Sequence, residues 1–157
     1  MKKIYKLLLL FVVIILILSS CNNSSSNKNI NTSISEDINY MDKTLILKID
    51  DTFVDVSWEN NDSVNELKRL SINNLILNLS EYGGFEQTGP IGNKLPSKDS
   101  NINVIPGDIV LYNSKNISIF YSNSRWSYTR LGHINLNNTE LNNLLNKDNV
   151  TITLSLE

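Results

Sequence analysis

Two acids, Glu81 and Glu86, bracket Tyr82-Gly83-Gly84-Phe85 in the stretch EYGGFEQTGPIGNKLP. Paired carboxyl groups are what glycoside hydrolysis uses, one as acid and the other as base or nucleophile. Two solvated acids on a loop have the same appearance. Gly83 and Gly84 also admit two readings, backbone N–H groups that cradle a phosphate or a tight turn needing positive φ. No GxxxxGK pattern accompanies them, so the turn is the expectation. A second cluster, Arg125, Trp126, Tyr128 and Arg130 in SRWSYTRLGH, interleaves guanidinium groups with aromatic rings, a composition that suits binding surfaces. Read as structure alone, the same cluster is two aromatics closing one end of a core beside two solvated arginines. His133 is the single histidine. Without a second histidine or a cysteine beside it there is no metal site, and a structural role is expected before that of a general base. No Ser-His-Asp set is visible by spacing, and no cofactor signature is present.

The elements that must position these groups follow from apolar alternation. Strands are expected over residues 44–49, 52–57, 75–79, 108–112, 117–121, 133–136 and 150–156. The first two flank Asp50-Asp51 and read as a hairpin. One short helix is expected from Ser63, whose spacing to Glu66 fits a capping box, with Val64, Leu67 and Leu70 on one face. A second is expected over residues 139–146, with Asn138 as its cap. The fold class is therefore mainly β, a closed barrel with short helices at its ends, because closure removes the exposed edges such strands would leave. The stretch from Glu81 to Pro96 and the segment carrying Arg125 to Arg130 read as loops. Together they form the expected pocket walls, with Tyr82, Gly83, Gly84, Phe85, Glu86, Arg125, Trp126, Tyr128 and Arg130 as candidate ligand-binding residues. Trp58 reads as packing in the core or at a barrel end.

The chain opens MKKIYK, continues with the apolar run LLLLFVVIILIL and reaches SSC. That order of basic, apolar and small residues is a signal peptide pattern, and the run is shorter than the roughly 20 residues a spanning helix needs. Leu18-Ser19-Ser20-Cys21 resembles a bacterial lipobox, which implies a lipid on Cys21, the single cysteine. More than one acyl chain on that residue gives stable anchoring where one chain is marginal. The polar stretch NNSSSNKNINTSISEDIN that follows reads as a tether, and about twenty flexible residues span roughly 25 Å. The expected organisation is a signal peptide over 1–20, a lipidated cysteine and tether over 21–39, and one domain over 40–157.

Without Lys2, Lys3 and Lys6, 11 basic residues face 16 acidic ones, a net charge of −5. An acidic surface with no basic run downstream of Lys6 argues against nucleic acid as a partner. The expected partners are a membrane, through the lipid anchor, and a peptide or small molecule. The expected location is the bacterial cell envelope, outside the cytoplasm.

The order hairpin, helix, strand, EYGGFEQTGPIGNKLP, PGDIVLYN, ISIFYS, RLGHI, helix and last strand resembles the small bacterial cyclophilin-like family from Leu45 to Leu156. The best markers are Tyr82-Gly83-Gly84 with Glu86, Pro106-Gly107-Asp108, and Gly132-His133-Ile134. The resemblance implies a barrel of about eight strands, related in fold to peptidyl-prolyl isomerases. In those enzymes an inner-strand arginine weakens the prolyl amide. Here the corresponding strand reads LILNLSE, without arginine, histidine or phenylalanine. With a barrier of about 20 kcal/mol to lower and the positioned cation missing, the resemblance implies a non-catalytic binding module. The alternative is a weak isomerase assisting exported proteins, with Arg125 or Arg130 as the substitute cation.

Overall fold

The computed structural model describes residues 40–157; the expected signal peptide, Cys21 and the tether lie outside the described residues. In chain order the elements are β1 (Leu45–Ile49), β2 (Thr52–Val54), β3 (Val56–Trp58), α1 (Asp62–Leu70), β4 (Leu75–Tyr82), β5 (Glu86–Pro90), β6 (Ser100–Val104), β7 (Asp108–Tyr112), β8 (Asn116–Phe120), β9 (Ser124–Ile134), α2 (Asn138–Leu145) and β10 (Asn149–Leu156). The strands pair in the order β2-β1-β10-β4-β5-β8-β7-β9-β3, with β6 added on β9. Every pairing is antiparallel. β2 and β3, at opposite ends of this order, are consecutive in the chain with only Asp55 between them. One extended segment thus pairs with β1 through its first half and with β9 through its second, giving a nearly closed barrel of nine strands, in keeping with the expected mainly β barrel with two short helices.

Alternation decides which side chains fill the barrel. Leu45, Leu47 and Ile49 of β1 point inward beside Val150, Ile152 and Leu154 of β10 and Leu77 and Leu79 of β4. Each such side chain contributes about 1.5–3 kcal/mol on burial. Leu67 of α1 and Leu141 and Leu145 of α2 join the same core. β7 and β8 are buried on both faces, which is why DIVLY and ISIFY read as continuous apolar runs. Their Ile109, Leu111, Ile117 and Ile119 face the barrel core, while Val110 and Phe120 face outward into a second cluster with Val104 and Tyr128.

Several expectations need correction. The stretch after Leu79 is not a long loop: β4 continues to Tyr82 and β5 returns from Glu86 to Pro90. The segment with Arg125 to Arg130 is not a loop either, because it belongs to the eleven-residue strand β9. That strand runs through Gly132 and His133 and ends at Ile134, so the strand expected over 133–136 is the end of a longer one that starts at Ser124. β6, polar except for Ile102 and Val104, was not anticipated. Asn61 rather than Ser63 caps α1, its Oδ1 accepting from Val64 N at 3.0 Å. Ser63 instead donates to Pro96 O at 2.6 Å, and Glu66 pairs with Arg69. Asn137 rather than Asn138 caps α2, in a capping box with Glu140. Trp58 packs against the core and donates its indole N–H to Leu45 O at 2.8 Å.

Candidate functional site: an aromatic cleft on the outer barrel face

The β4–β5 hairpin builds one wall of the site. Gly83 and Gly84 have φ of 67° and 75°, and Phe85 N donates to Tyr82 O at 3.4 Å. Two successive positive φ values are what a type I′ hairpin turn requires, and glycine adopts them at no steric cost. A Cβ at Gly83 would also run into the Phe85 ring. The Glu81 carboxylate fastens the turn by accepting from Gly84 N, with Tyr121 Oη 3.5 Å away. Tyr82 pairs with Glu86 across the hairpin and Glu81 with Gln87. Paired residues share a face and successive residues alternate, so Glu81 and Glu86 point to opposite sides of the sheet. They do not flank one bond as an acid/base pair would.

On the outer face, Tyr82, Phe85 and Glu86 join Tyr112 of β7, Thr88 of β5, Ser118 of β8 and Arg125, Trp126 and Tyr128 of β9 around a cleft of about 710 Å³. Four of its aromatic rings, those of Tyr82, Phe85, Tyr128 and Tyr112, form a continuous series through the buried Phe120. Tyr82 meets Phe85 edge-on with centroids 6.0 Å apart, and Phe85 stacks on Phe120 at 6.1 Å. Phe120 meets Tyr128 at 5.7 Å, and Tyr128 meets Tyr112 at 5.9 Å. Such contacts are worth roughly 0.5–1.5 kcal/mol each beyond area burial, so the wall is stiff before anything binds.

Glu86 lies in this wall and is only 7% exposed. Its Oε2 is buried and meets no hydrogen-bond donor among the described residues. Burial raises its pKa above the ordinary value, with the Ser118 hydroxyl pulling the other way. Ser118 Oγ also donates to Thr88 Oγ1 at 2.8 Å. Burial likewise raises the Tyr128 phenol, with the negative charge of Glu86 adding to the effect. Arg125 is exposed and donates from Nε to Asn101 Oδ1 at 2.7 Å.

A sequence model of the Cyclophilin-like family matches residues 47–155. The chain belongs to the cyclophilin-like family. No curated protein and no solved structure matches it.

Of the nine candidate ligand-binding residues, this cyclophilin-like barrel brings six to the cleft: Tyr82, Phe85, Glu86, Arg125, Trp126 and Tyr128. Gly83 and Gly84 shape the turn without lining it. Arg130 is directed elsewhere, with Nη1 2.6 Å from Asp108 Oδ2 and Nη2 donating to Asn103 O at 3.1 Å. It lines a separate polar cleft of about 660 Å³ beside Glu59, Asp62 and Lys98. His133 Nδ1 lies 2.9 Å from Asp108 Oδ1, a structural contact within the strand ladder. Among the described residues no group of three His, Cys, Asp or Glu side chains is placed to hold a metal.

Other cleft residues, among them Tyr112, Thr88 and Ser118, were not singled out at the level of sequence. Tyr112 and Thr88 gave no signal separate from their strands, whereas Ser118 did. It is the polar residue between Ile117 and Ile119 in an otherwise apolar run, and alternation places it on the face opposite the core. Gln87 was also missed. It is fully buried and donates from Nε2 to Leu145 O at 2.8 Å and Lys147 O at 2.6 Å, satisfying carbonyls at the end of α2.

Proposed function

We propose that the protein is a non-catalytic binding module, tethered by a lipid on Cys21 to the outer side of a bacterial membrane, that takes a peptide or small molecule in the aromatic cleft. The observation that carries the reading is the combination of a stiff aromatic wall with one buried carboxyl group, on a barrel whose core is filled independently of it. Binding sites commonly have this composition, an apolar lining with a few placed polar groups. The anchor rests on the basic, apolar and lipobox-like order that ends at Cys21. The test is purification of the full-length protein from its native host followed by mass spectrometry for a co-purifying molecule. A stoichiometric ligand, lost on Phe85→Ala with Trp126→Ala, supports the module; ligand-free protein that binds nothing from host extracts counts against it.

A second reading, a weak prolyl isomerase, is favoured by one observation: Arg125 lines the same cleft as Phe85 and Trp126. A cation beside an aromatic wall is the pairing an isomerase needs to polarise a prolyl amide. β4 carries no arginine, and Arg130 is held on Asp108. A protease-coupled peptide assay decides between the readings. A binding module gives no acceleration over the uncatalysed rate, whereas an isomerase gives one that Arg125→Ala abolishes.

A further inference from the structure

We infer that the cleft takes an organic cation, an ammonium or methylated ammonium group carried on an apolar body, with Glu86 as its counter-charge. The inference rests on the binding-module reading and names the ligand chemistry of that same cleft.

Glu86 is more than nine-tenths buried, lines the cleft and has an oxygen, Oε2, without a hydrogen bond among the described residues, the nearby Ser118 hydroxyl donating to Thr88 Oγ1 instead. Buried polar atoms are almost always paired, and one that is not calls for an explanation. Glu81 cannot share the burden, since it lies on the opposite face of the hairpin and fastens the turn. Arg125 is exposed, held through Nε on Asn101, and forms no ion pair with Glu86. Phe85, Tyr128, Tyr112 and Trp126 line the same cleft, and Tyr128 is close enough for the Glu86 charge to act on its phenol. Rings of this kind attract cations through their quadrupoles, more strongly where water is excluded. An acid set among aromatic rings is thus complementary to a soft cation, and poorly suited to an anion. The exposed Arg125 places positive charge further out than the buried negative charge, so a cationic ligand enters with its charged end first and a neutral or anionic end outermost.

Isothermal titration calorimetry on the full-length protein in non-ionic detergent tests this with three probes of similar size: benzylammonium, benzyl alcohol and benzoate. Benzylammonium is expected to bind at least tenfold more tightly than either of the others. Glu86→Gln, which keeps the shape of the side chain, is expected to lose at least tenfold in that affinity while melting no lower than the wild type at neutral pH. Affinity for benzylammonium also falls as pH is lowered through the raised range of the Glu86 carboxyl, because protons compete for it, while the ammonium group of the probe keeps its charge. Equal or tighter binding of benzyl alcohol or benzoate, or undiminished binding by Glu86→Gln, overturns the cation inference and leaves the binding module standing. Failure of all three probes also overturns it, and the module is then judged by the ligand recovered from the native host.

Discussion

Arg130 and Asp108 form an ion pair of 2.6 Å in which the arginine side chain is 33% exposed and the aspartate 2%. Asp108 also accepts from Ile105 N at 3.0 Å and faces His133 Nδ1 at 2.9 Å. The carboxylate therefore ties β7 to β9 and to the chain entering β7. Arg130→Ala removes one partner and leaves a buried charge partly matched. A loss of about 1–3 kcal/mol is expected, read by urea unfolding, with ligand binding in the aromatic cleft unchanged.

Glu86 predicts a pH-dependent stability difference. Its folded-state carboxyl lies above the ordinary 4.5 because of burial, so the fold favours the protonated form. That contribution is fully present below the unfolded value and is lost as pH rises through the folded one. Glu86→Gln should melt close to the wild type near about pH 4 and above it at about pH 7. Thermal melts across this range check the sign, and a variant that loses stability at neutral pH contradicts it.

Phe85 and Tyr82 should separate packing from binding. Phe85 is half-buried on Phe120, so Phe85→Ala is expected to cost about 2–3 kcal/mol, below the roughly 3–5 of a fully buried phenylalanine. Tyr82 is 62% exposed, and Tyr82→Ala should stay within about 0.5 kcal/mol of wild type. Both should weaken ligand binding. Calorimetric melts beside a binding titration distinguish these effects, and full binding by Tyr82→Ala would remove it from the site.

Cys21→Ser should leave the protein without its lipid. In Triton X-114 phase separation the wild type is expected in the detergent phase and the variant in the aqueous phase. A variant that still partitions into detergent makes the apolar run itself the anchor.

How much could be read in the sequence depended on what each strand buries. β1, β7, β8 and β10 announce themselves through apolar residues because both or alternate faces are packed. β5 reads EQTGP, and its inward positions are filled by Gln87 and Gly89, so a buried strand looks like a turn. β6 joins the sheet only through β9 and buries little beyond Val104, which leaves it polar. In β9 the pairing with β7 slips, Ile109 opposing Gly132 and Val110 opposing Arg130. That irregularity, at Leu131, breaks the alternation by which an eleven-residue strand would be recognised. Two of the family markers, Tyr82-Gly83-Gly84 and Pro106-Gly107-Asp108, survived these difficulties because their glycines sit at turns with positive φ, where the requirement is local.

The segment through Asp55 gives the ring one weak seam. β2 is held by β1 alone and β3 by β9 alone, whereas β5, β8 and β7 each have a neighbour on both sides. Opening at the seam breaks one short ladder at a time, while opening at β8 must break two together. Thermal fluctuations of the barrel therefore concentrate at this seam and spare β5, β8 and β7, which carry Thr88, Ser118 and Tyr112 of the cleft. A ligand there meets walls already in place, and little of its binding energy goes into ordering them.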